Sequence, residues 1–200
     1  MTSGPSRLTS DIRMLAVDAS VAINLLGTGR AADILRIVDR QFVIEDSARD
    51  EVRRDPSNGQ PGSVALDALS RSGLLTYARL GDSAFPSFLA LTGAEPPGDL
   101  DDGEAATIAL AVDTGAVALL DDKKAIRVAR ERHSGLVVLQ TLDLLSCDAL
   151  LAAVAPAELA DILYSALQNA RMRVPPLFRK WTVGVIGYER AARCPSLGAV

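Results

Sequence analysis

The segment Val117-Ala-Leu-Leu-Asp-Asp-Lys-Lys-Ala-Ile-Arg127 decides the fold, because it joins an apolar run to a basic stretch through two aspartates. The apolar run fits a short buried strand, and residues 123–132 have the spacing of a helix. Similar units recur along the chain, so that short strands alternate with helices. This alternation predicts an α/β protein with a mainly parallel sheet that is covered by helices on both faces.

The hydrophobic periodicity places the individual elements. Strands are predicted at residues 14–18, 41–44, 74–80, 117–121 and 136–139. Helices are predicted at residues 20–26, 30–40, 46–53, 63–70, 83–91, 101–114, 123–132, 141–154 and 156–171, with Gly27 as the C-cap of the first. Loops rich in Gly and Pro are expected at residues 55–62 and 92–99. We therefore expect a three-layer α/β/α fold with a mainly parallel central sheet of 4–5 strands.

Acidic residues stand where the predicted strands and helices begin or end. Asp18 closes the first strand, Glu51 lies in the helix after the second, and Glu104 lies in the first turn of a helix. Asp121 and Asp122 follow the fourth strand. Because open α/β sheets keep their sites at the carboxyl ends of the strands, we expect these carboxylates to converge. Converging carboxylates bind a hard divalent cation such as Mg²⁺.

Capping is the alternative explanation for each acid. Asp18 and Ser20 are equally good N-caps for the first helix. Consecutive strand residues point to opposite faces, so either Asp121 or Asp122 faces the site while the other caps the next helix. Glu51, in turn, fits a solvated helix face with local ion pairs.

Glu104 is the acid that capping explains least well. It shares a helical stripe with Ile108, Ala111 and Val112. A carboxylate on a buried stripe costs free energy unless it is paired or bound to a metal. Three neighbouring aspartates, Asp99, Asp101 and Asp102, already supply the negative charge that the start of a helix favours.

Composition narrows the classes of function. The 200-residue chain is 48% hydrophobic and 4% aromatic, and its formal net charge is −4. This charge is not typical of proteins that hold nucleic acid by bulk electrostatics, but it is compatible with a nuclease whose acids are neutralised by metal. The single histidine, His133, excludes zinc proteases of the HExxH type and is expected as a solvated residue at a helix end.

The cysteines and the apolar runs indicate the compartment. Cys147 and Cys194 form no CxxC motif, which excludes a metal–thiolate site and favours reduced thiols. The apolar runs are shorter than the ~20 residues that span a bilayer. The first residues also lack the long apolar region of a secretory signal. We therefore expect a cytoplasmic protein without a membrane partner.

Taken in this order, the acidic segments closely resemble the PIN domain, a family of small metal-dependent ribonucleases that includes the VapC-like toxins of toxin–antitoxin pairs. The matching segments are Val17-Asp-Ala-Ser-Val21, Glu51-Val52, Asp102-Gly-Glu-Ala-Ala-Thr-Ile-Ala-Leu-Ala111 and Leu119-Leu-Asp-Asp-Lys-Lys-Ala-Ile-Arg127. The resemblance covers about residues 14–145. It implies a PIN-like nuclease domain in this range, after an N-terminal arm at residues 1–13.

The resemblance also implies a site and a reaction. Its acids are Asp18, Glu51, Glu104 and Asp121 or Asp122, and all of these except Glu51 are expected to bind the cofactor, Mg²⁺ or Mn²⁺. Water activated by the metal would cleave single-stranded RNA and leave 5′-phosphate and 3′-hydroxyl ends. The expected partners are the RNA substrate, a small antitoxin protein and a second copy of the chain in a homodimer.

Binding RNA beside an acidic site requires positive or polar groups at its rim. The resemblance points to Asn24, which follows the first aspartate. The basic residues available are Arg53, Arg54, Lys123, Lys124, Arg127 and Arg130. Each of these cations is explained equally well as part of a solvated helix face.

The C-terminal extension, residues 146–200, is expected to be helical and aromatic. It holds Phe178, Trp181 and Tyr188, which either pack on the nuclease domain or form an apolar patch for a partner.

Two other functions stay open from the sequence. One is a catalytically inactive PIN-fold module that binds a protein partner or RNA, with its acids serving as caps. The other is a phosphatase-like or receiver-like domain, which also uses an aspartate after the first strand. Phosphatases of the haloacid-dehalogenase type require a second aspartate two positions later, where this chain has Ser20.

Overall fold

A five-stranded parallel sheet forms the centre of the protein, whose computed structural model describes residues 4–93 and 99–198. The strands are β1 (Met14–Val17), β2 (Gln41–Glu45), β3 (Thr76–Ala78), β4 (Val117–Leu119) and β5 (Val138–Leu139). Their order across the sheet is β3-β2-β1-β4-β5, and each neighbouring pair runs parallel. The α/β class and the parallel sheet predicted from the sequence are confirmed.

Helices connect the strands and continue beyond them. They are α1 (Ala19–Gly27), α2 (Ala31–Val38), α3 (Asp46–Glu51), α4 (Gly62–Arg71), α5 (Phe85–Thr92), α6 (Asp102–Thr114), α7 (Lys123–Arg132), α8 (Thr141–Leu145), α9 (Asp148–Ala153), α10 (Pro156–Asn169), α11 (Pro176–Ile186) and α12 (Tyr188–Ala191). A 3₁₀ turn follows at Pro195–Leu197. Within the described part of the chain, no helix is both long and apolar enough to cross a membrane.

The side chains of each strand alternate between two buried clusters, one on each face of the sheet. On β1, Leu15 and Val17 belong to the first cluster, whereas Ala16 belongs to the second. The first cluster includes residues of α1, α2, α4 and α8 to α12, and the second includes residues of α5, α6 and α7. The sheet is therefore the middle layer of the α/β/α fold that the sequence predicts.

The C-terminal helices contribute to the first cluster. Phe178 on α11 is fully buried, and Trp181 packs against the cluster with part of its surface exposed. Tyr188, by contrast, is 76% exposed. The aromatic end of the chain is thus helical, and its aromatic residues differ widely in burial.

Several element boundaries differ from the predicted ones. The strand predicted at residues 74–80 is limited to Thr76–Ala78 at the edge of the sheet, where it pairs with β2 alone. The helix predicted at residues 141–154 is interrupted between α8 and α9, at Ser146 and Cys147. The N-terminal arm passes this point so closely that a Cβ on Gly4 would lie 2.0 Å from the Ser146 carbonyl oxygen.

The end of α1 also differs from the prediction. Gly27 is the last helical residue, and Thr28 is the C-cap. Gly27 instead allows a close approach, since a Cβ there would lie 2.7 Å from the Cβ of Ala170 at the end of α10. Most of the loop predicted at residues 92–99 lies outside the described residues, as do the first three residues of the N-terminal arm and the last two of the C-terminal extension.

Candidate functional site

Asp18 lies at the carboxyl end of β1, in the centre of the sheet edge. It is 3% exposed, and its N–H continues the sheet by donating to the carbonyl of Leu119 over 3.1 Å. Its Oδ2 caps α1 by accepting from the N–H (3.0 Å) and the hydroxyl of Ser20. Its Oδ1 is buried and has no hydrogen-bond partner among the described residues. Burial raises the pKa of Asp18 to about 6, and the charges of Asp101 and Glu51 contribute.

Glu104 lies in the first turn of α6, and its N–H donates to the N-cap carboxylate of Asp101 over 2.9 Å. Burial raises the pKa of Glu104 to about 8, with further contributions from the negative charges of Asp101, Asp18 and Asp122. Lys124 acts in the opposite direction. Glu104 is therefore a carboxyl group that holds its proton near neutral pH unless a cation replaces it.

The predicted stripe on α6 is only partly correct. Ile108 and Ala111 are fully buried, as predicted for the stripe that contains Glu104. Val112 is 40% exposed, because the last turn of α6 is exposed to solvent.

Glu51 reaches the same place from α3, which packs against α6. Its Oε1 accepts a hydrogen bond of 3.0 Å from the backbone N–H of Gly103, next to Glu104. A Cβ at Gly103 would lie 2.4 Å from this Oε1, so the approach depends on the glycine. Partial burial and the charge of Asp101 raise the pKa of Glu51.

The two aspartates after β4 have different surroundings. Oδ1 of Asp122 caps α7 by accepting from the N–H of Lys124 (2.7 Å) and of Ala125 (3.3 Å). Its charge also reaches Glu104. Asp121 accepts from the amide of Asn24 (2.7 Å), from the N–H of Thr141 (3.0 Å) and from the Thr141 hydroxyl. The sequence did not decide which of the two aspartates caps the next helix, and the structure shows that Asp122 caps α7.

The structure brings most of the predicted acids within electrostatic reach of one another. Asp18, Glu51, Glu104 and Asp122 are coupled through their charges, directly or through Asp101. Asp121 lies beside them at the sheet edge, where burial raises its pKa. In the described ranges, no three His, Cys, Asp or Glu side chains are placed so that they could hold a metal ion.

Sequence reasoning missed two residues of this site. Asp101 was interpreted only as charge at the start of α6, yet its field raises the pKa of Asp18, Glu51 and Glu104. The spacing of three residues between Asp101 and Glu104 could have indicated this role, since it places both residues at the first turn of α6. Thr141, which is fully buried, was missed because a threonine after a strand carries no charge pattern.

The residues predicted to contact RNA fall into several environments. Asn24 is buried and donates to Asp121, so it positions that carboxylate. Lys124 forms an ion pair of 3.2 Å with Asp99, and Arg127 forms one of 3.0 Å with Glu131. Arg53 is exposed in the turn after α3.

Two cavities lie against Asp121. One, of about 690 Å³, is bordered by α7 and by the segment around Arg173, and it includes Lys123. The other, of about 300 Å³, is bordered by Ser20, Asn24, Asp121 and Asp122. A third cavity, of about 440 Å³ beside the C-cap residue His133, contains no acidic residue in its lining and lies at the start of β4. Of the predicted acids, Asp121 and Asp122 line these first two cavities, which makes the cavities candidates for the functional region.

Comparison with known protein families matches residues 14–180 to the PIN domain. Because the match spans most of the chain, the protein belongs to the PIN-domain family, as the sequence resemblance indicates. PIN domains are generally nucleases and typically use divalent metals. No curated protein and no solved structure matches the chain.

Proposed function

We propose that this protein is a Mg²⁺- or Mn²⁺-dependent endoribonuclease that hydrolyses single-stranded RNA. The observation that carries the proposal is the coupling between Asp18 and Glu104. Burial and the charges of Asp101 and Glu51 raise the pKa of Asp18, and partial burial and the charges of Asp101, Asp18 and Asp122 raise the pKa of Glu104. Such a cluster at the carboxyl end of β1, in a family of nucleases, is suited to a cation and a scissile phosphate.

Carboxylate oxygens are the donor type that a hard divalent cation prefers. The buried Oδ1 of Asp18 has no hydrogen-bond partner among the described residues, and an unsatisfied buried oxygen favours a ligand. The residues that would hold the ion are Asp18, Glu104, Asp121 and Asp122. A bound Mg²⁺ or Mn²⁺ supplies an activated water and charge stabilisation at the phosphate.

The remaining residues of the site position these carboxylates. Ser20 fixes Oδ2 of Asp18, which leaves the buried Oδ1 without a hydrogen-bond partner among the described residues. Asn24 and Thr141 hold Asp121 against the sheet edge. Lys124 lowers the pKa of Glu104 and thereby favours the charged form that a cation requires.

The biological role that we propose is that of the toxin in a toxin–antitoxin pair. It rests on the sequence resemblance. In this role the protein would act in the cytoplasm, with a small antitoxin protein and a second copy of the chain in a homodimer as its partners. The competing proposal is a catalytically inactive PIN-fold binding module. It is favoured by the lack, within the described residues, of three side chains already placed to hold a metal.

A cleavage assay separates these two proposals. End-labelled single-stranded RNA is incubated with Mn²⁺ and the wild type, Asp18→Asn or Asp113→Asn, with EDTA as a further control. Asparagine retains an oxygen that can cap α1, so Asp18→Asn should fold normally. Asp113 is an exposed acid at the far end of α6 and is the matched control.

We expect the wild type and Asp113→Asn to cleave the RNA in Mn²⁺ and to be inactive in EDTA. Asp18→Asn should be at least about 100-fold slower, since losing even an outer-shell partner of a metal ligand costs 10- to 100-fold. If neither the wild type nor Asp113→Asn cleaves the RNA, this result supports the binding-module proposal.

A further inference from the structure

The larger cavity beside Asp121 is a basic cleft in an acidic protein. Five cationic side chains line it, together with two acidic ones, Asp121 and Glu131. The cations are Lys123, Arg127 and Arg130 from α7, and Arg173 and Arg179 from the segment that follows α10. The whole chain has 21 basic and 25 acidic residues, so this cleft reverses the overall charge balance.

The cleft continues to Asp121 and Asp122. Asp121 and Arg173 line both the basic cleft and the smaller cavity that contains Asp122, so the two cavities meet at these residues. Nη1 of Arg173 lies 3.7 Å from Oδ2 of Asp122, and both side chains are partly exposed. A strand bound in the cleft would therefore pass beside Asp121 and Asp122, the two aspartates at the carboxyl end of β4.

The segment that carries Arg173 is anchored to the fold. Met172 is 1% exposed, and the amide of Asn169 donates to the carbonyl of Gly27 over 2.9 Å. Arg171 has φ of 53°, a left-handed conformation that a non-glycine residue adopts only where the surroundings impose it. Arg173 is consequently held at the border of the site by its buried neighbour.

We infer that the cleft between α7 and residues 173–179 binds the sugar-phosphate backbone of single-stranded RNA and directs it to the carboxylates. The inference rests on the proposed nuclease function and assigns a role to the C-terminal extension. Lys123 and Arg130 form no ion pair with another described residue, so their charges face the solvent of the cleft. Arginine side chains suit phosphates because their planar forks donate two parallel hydrogen bonds.

Salt-dependent RNA binding tests this role independently of cleavage. The probe is fluorescein-labelled oligouridylate, whose anisotropy is measured in EDTA over a range of NaCl concentrations. The variants are Arg173→Ala and the double variant Lys123→Ala/Arg130→Ala. The matched controls are Lys180→Ala, an exposed residue of α11 that does not line the cleft, and Arg132→Ala, which lines the separate cavity beside His133.

We expect each cleft variant to bind the oligonucleotide roughly 3- to 10-fold more weakly at low salt. The slope of log K against log[NaCl] should become shallower by about 0.7 for each phosphate contact removed. Both control variants should bind like the wild type.

The inference is overturned if the cleft variants bind like the wild type, or if polyglutamate displaces the wild type from the probe as well as unlabelled oligouridylate does. If the cleft variants lose RNA binding but the wild type does not cleave RNA, the nuclease proposal is refuted and the cleft inference stands. If the wild type cleaves RNA and the cleft variants keep its RNA affinity and KM, the inference about the cleft is refuted and the nuclease proposal stands.

Discussion

The carboxylate of Glu51 rests on the first turn of α6, where its Oε1 accepts a 3.0 Å hydrogen bond from the N–H of Gly103. This contact joins two helices that are far apart in the chain and places Glu51 beside Glu104. It depends on a residue without a Cβ, because a methyl group at Gly103 would lie 2.4 Å from the accepting oxygen. Gly103 thus contributes to the site because the absence of a side chain lets the Glu51 carboxylate approach.

Gly103→Ala should displace the Glu51 carboxylate without unfolding the protein. Alanine is favoured over glycine in a helix by about 1 kcal/mol, and the group that must move is the end of a flexible side chain. We expect an unchanged or slightly higher melting temperature and a Mn²⁺ affinity lower by roughly tenfold. Calorimetry and thermal unfolding measure both quantities.

Gly135→Ala is the matched control, since a Cβ at Gly135 would have no neighbour within 4 Å. Equal Mn²⁺ affinities for the two variants would show that the position of Glu51 does not matter for the metal.

The stability of the metal-free protein should fall as the pH rises from about 4.5 to about 8, the window between the ordinary and the raised pKa of Glu104. In this window the folded state binds more protons than the unfolded state, so each increase in pH favours unfolding. Glu104→Gln removes the ionisation and should flatten this dependence. It should also be more stable than the wild type near pH 8.

Urea unfolding at a series of pH values in EDTA measures this effect, with Asp113→Asn as the control that keeps the wild-type dependence. Identical pH profiles for the wild type and Glu104→Gln would contradict the buried, coupled state of Glu104.

Thr141→Val should destabilise the protein by about 1–3 kcal/mol, because a partly buried carboxylate loses a donor. Asp121 would keep the hydrogen bonds from Asn24 and from the N–H of residue 141 but lose the hydroxyl. Its pKa should therefore rise further, and cleavage should slow. Urea unfolding at neutral pH gives the free energy of unfolding.

Thr107→Val provides the comparison for this substitution. The Thr107 hydroxyl is buried in α6 without a hydrogen-bond partner among the described residues, so its removal should be neutral or stabilising. If both valine variants lose the same stability, the Thr141–Asp121 contact contributes nothing specific.

The sequence predicted those features that local patterns determine. Short apolar runs located β1 and β4, and the parallel arrangement then placed Asp18 and the Asp121–Asp122 pair at one edge of the sheet. Helix capping also depends on local sequence, but the sequence fits either Asp121 or Asp122 as the cap of the next helix. Only the backbone geometry at the start of α7 identified Asp122 as the cap.

The sequence could not predict the features that depend on distant packing. Asp101 affects three carboxylates through its field, and the size of that effect depends on burial that only the folded chain defines. Arg173 is more than fifty residues from Asp122 in the chain and reaches it because α10 packs on α1. The N-terminal arm packs against the interruption at Ser146, a long-range contact that helical periodicity does not predict.

The most direct test of the central claim is a calorimetric titration of Mn²⁺ into the wild type, Glu104→Gln and Asp113→Asn. We expect the wild type and Asp113→Asn to bind Mn²⁺ and to release protons at about pH 7, because the cation displaces the proton held by Glu104. Glu104→Gln should bind much more weakly and release fewer protons. Equal binding by all three proteins, or no binding by the wild type, would contradict a cation site built on Asp18 and Glu104.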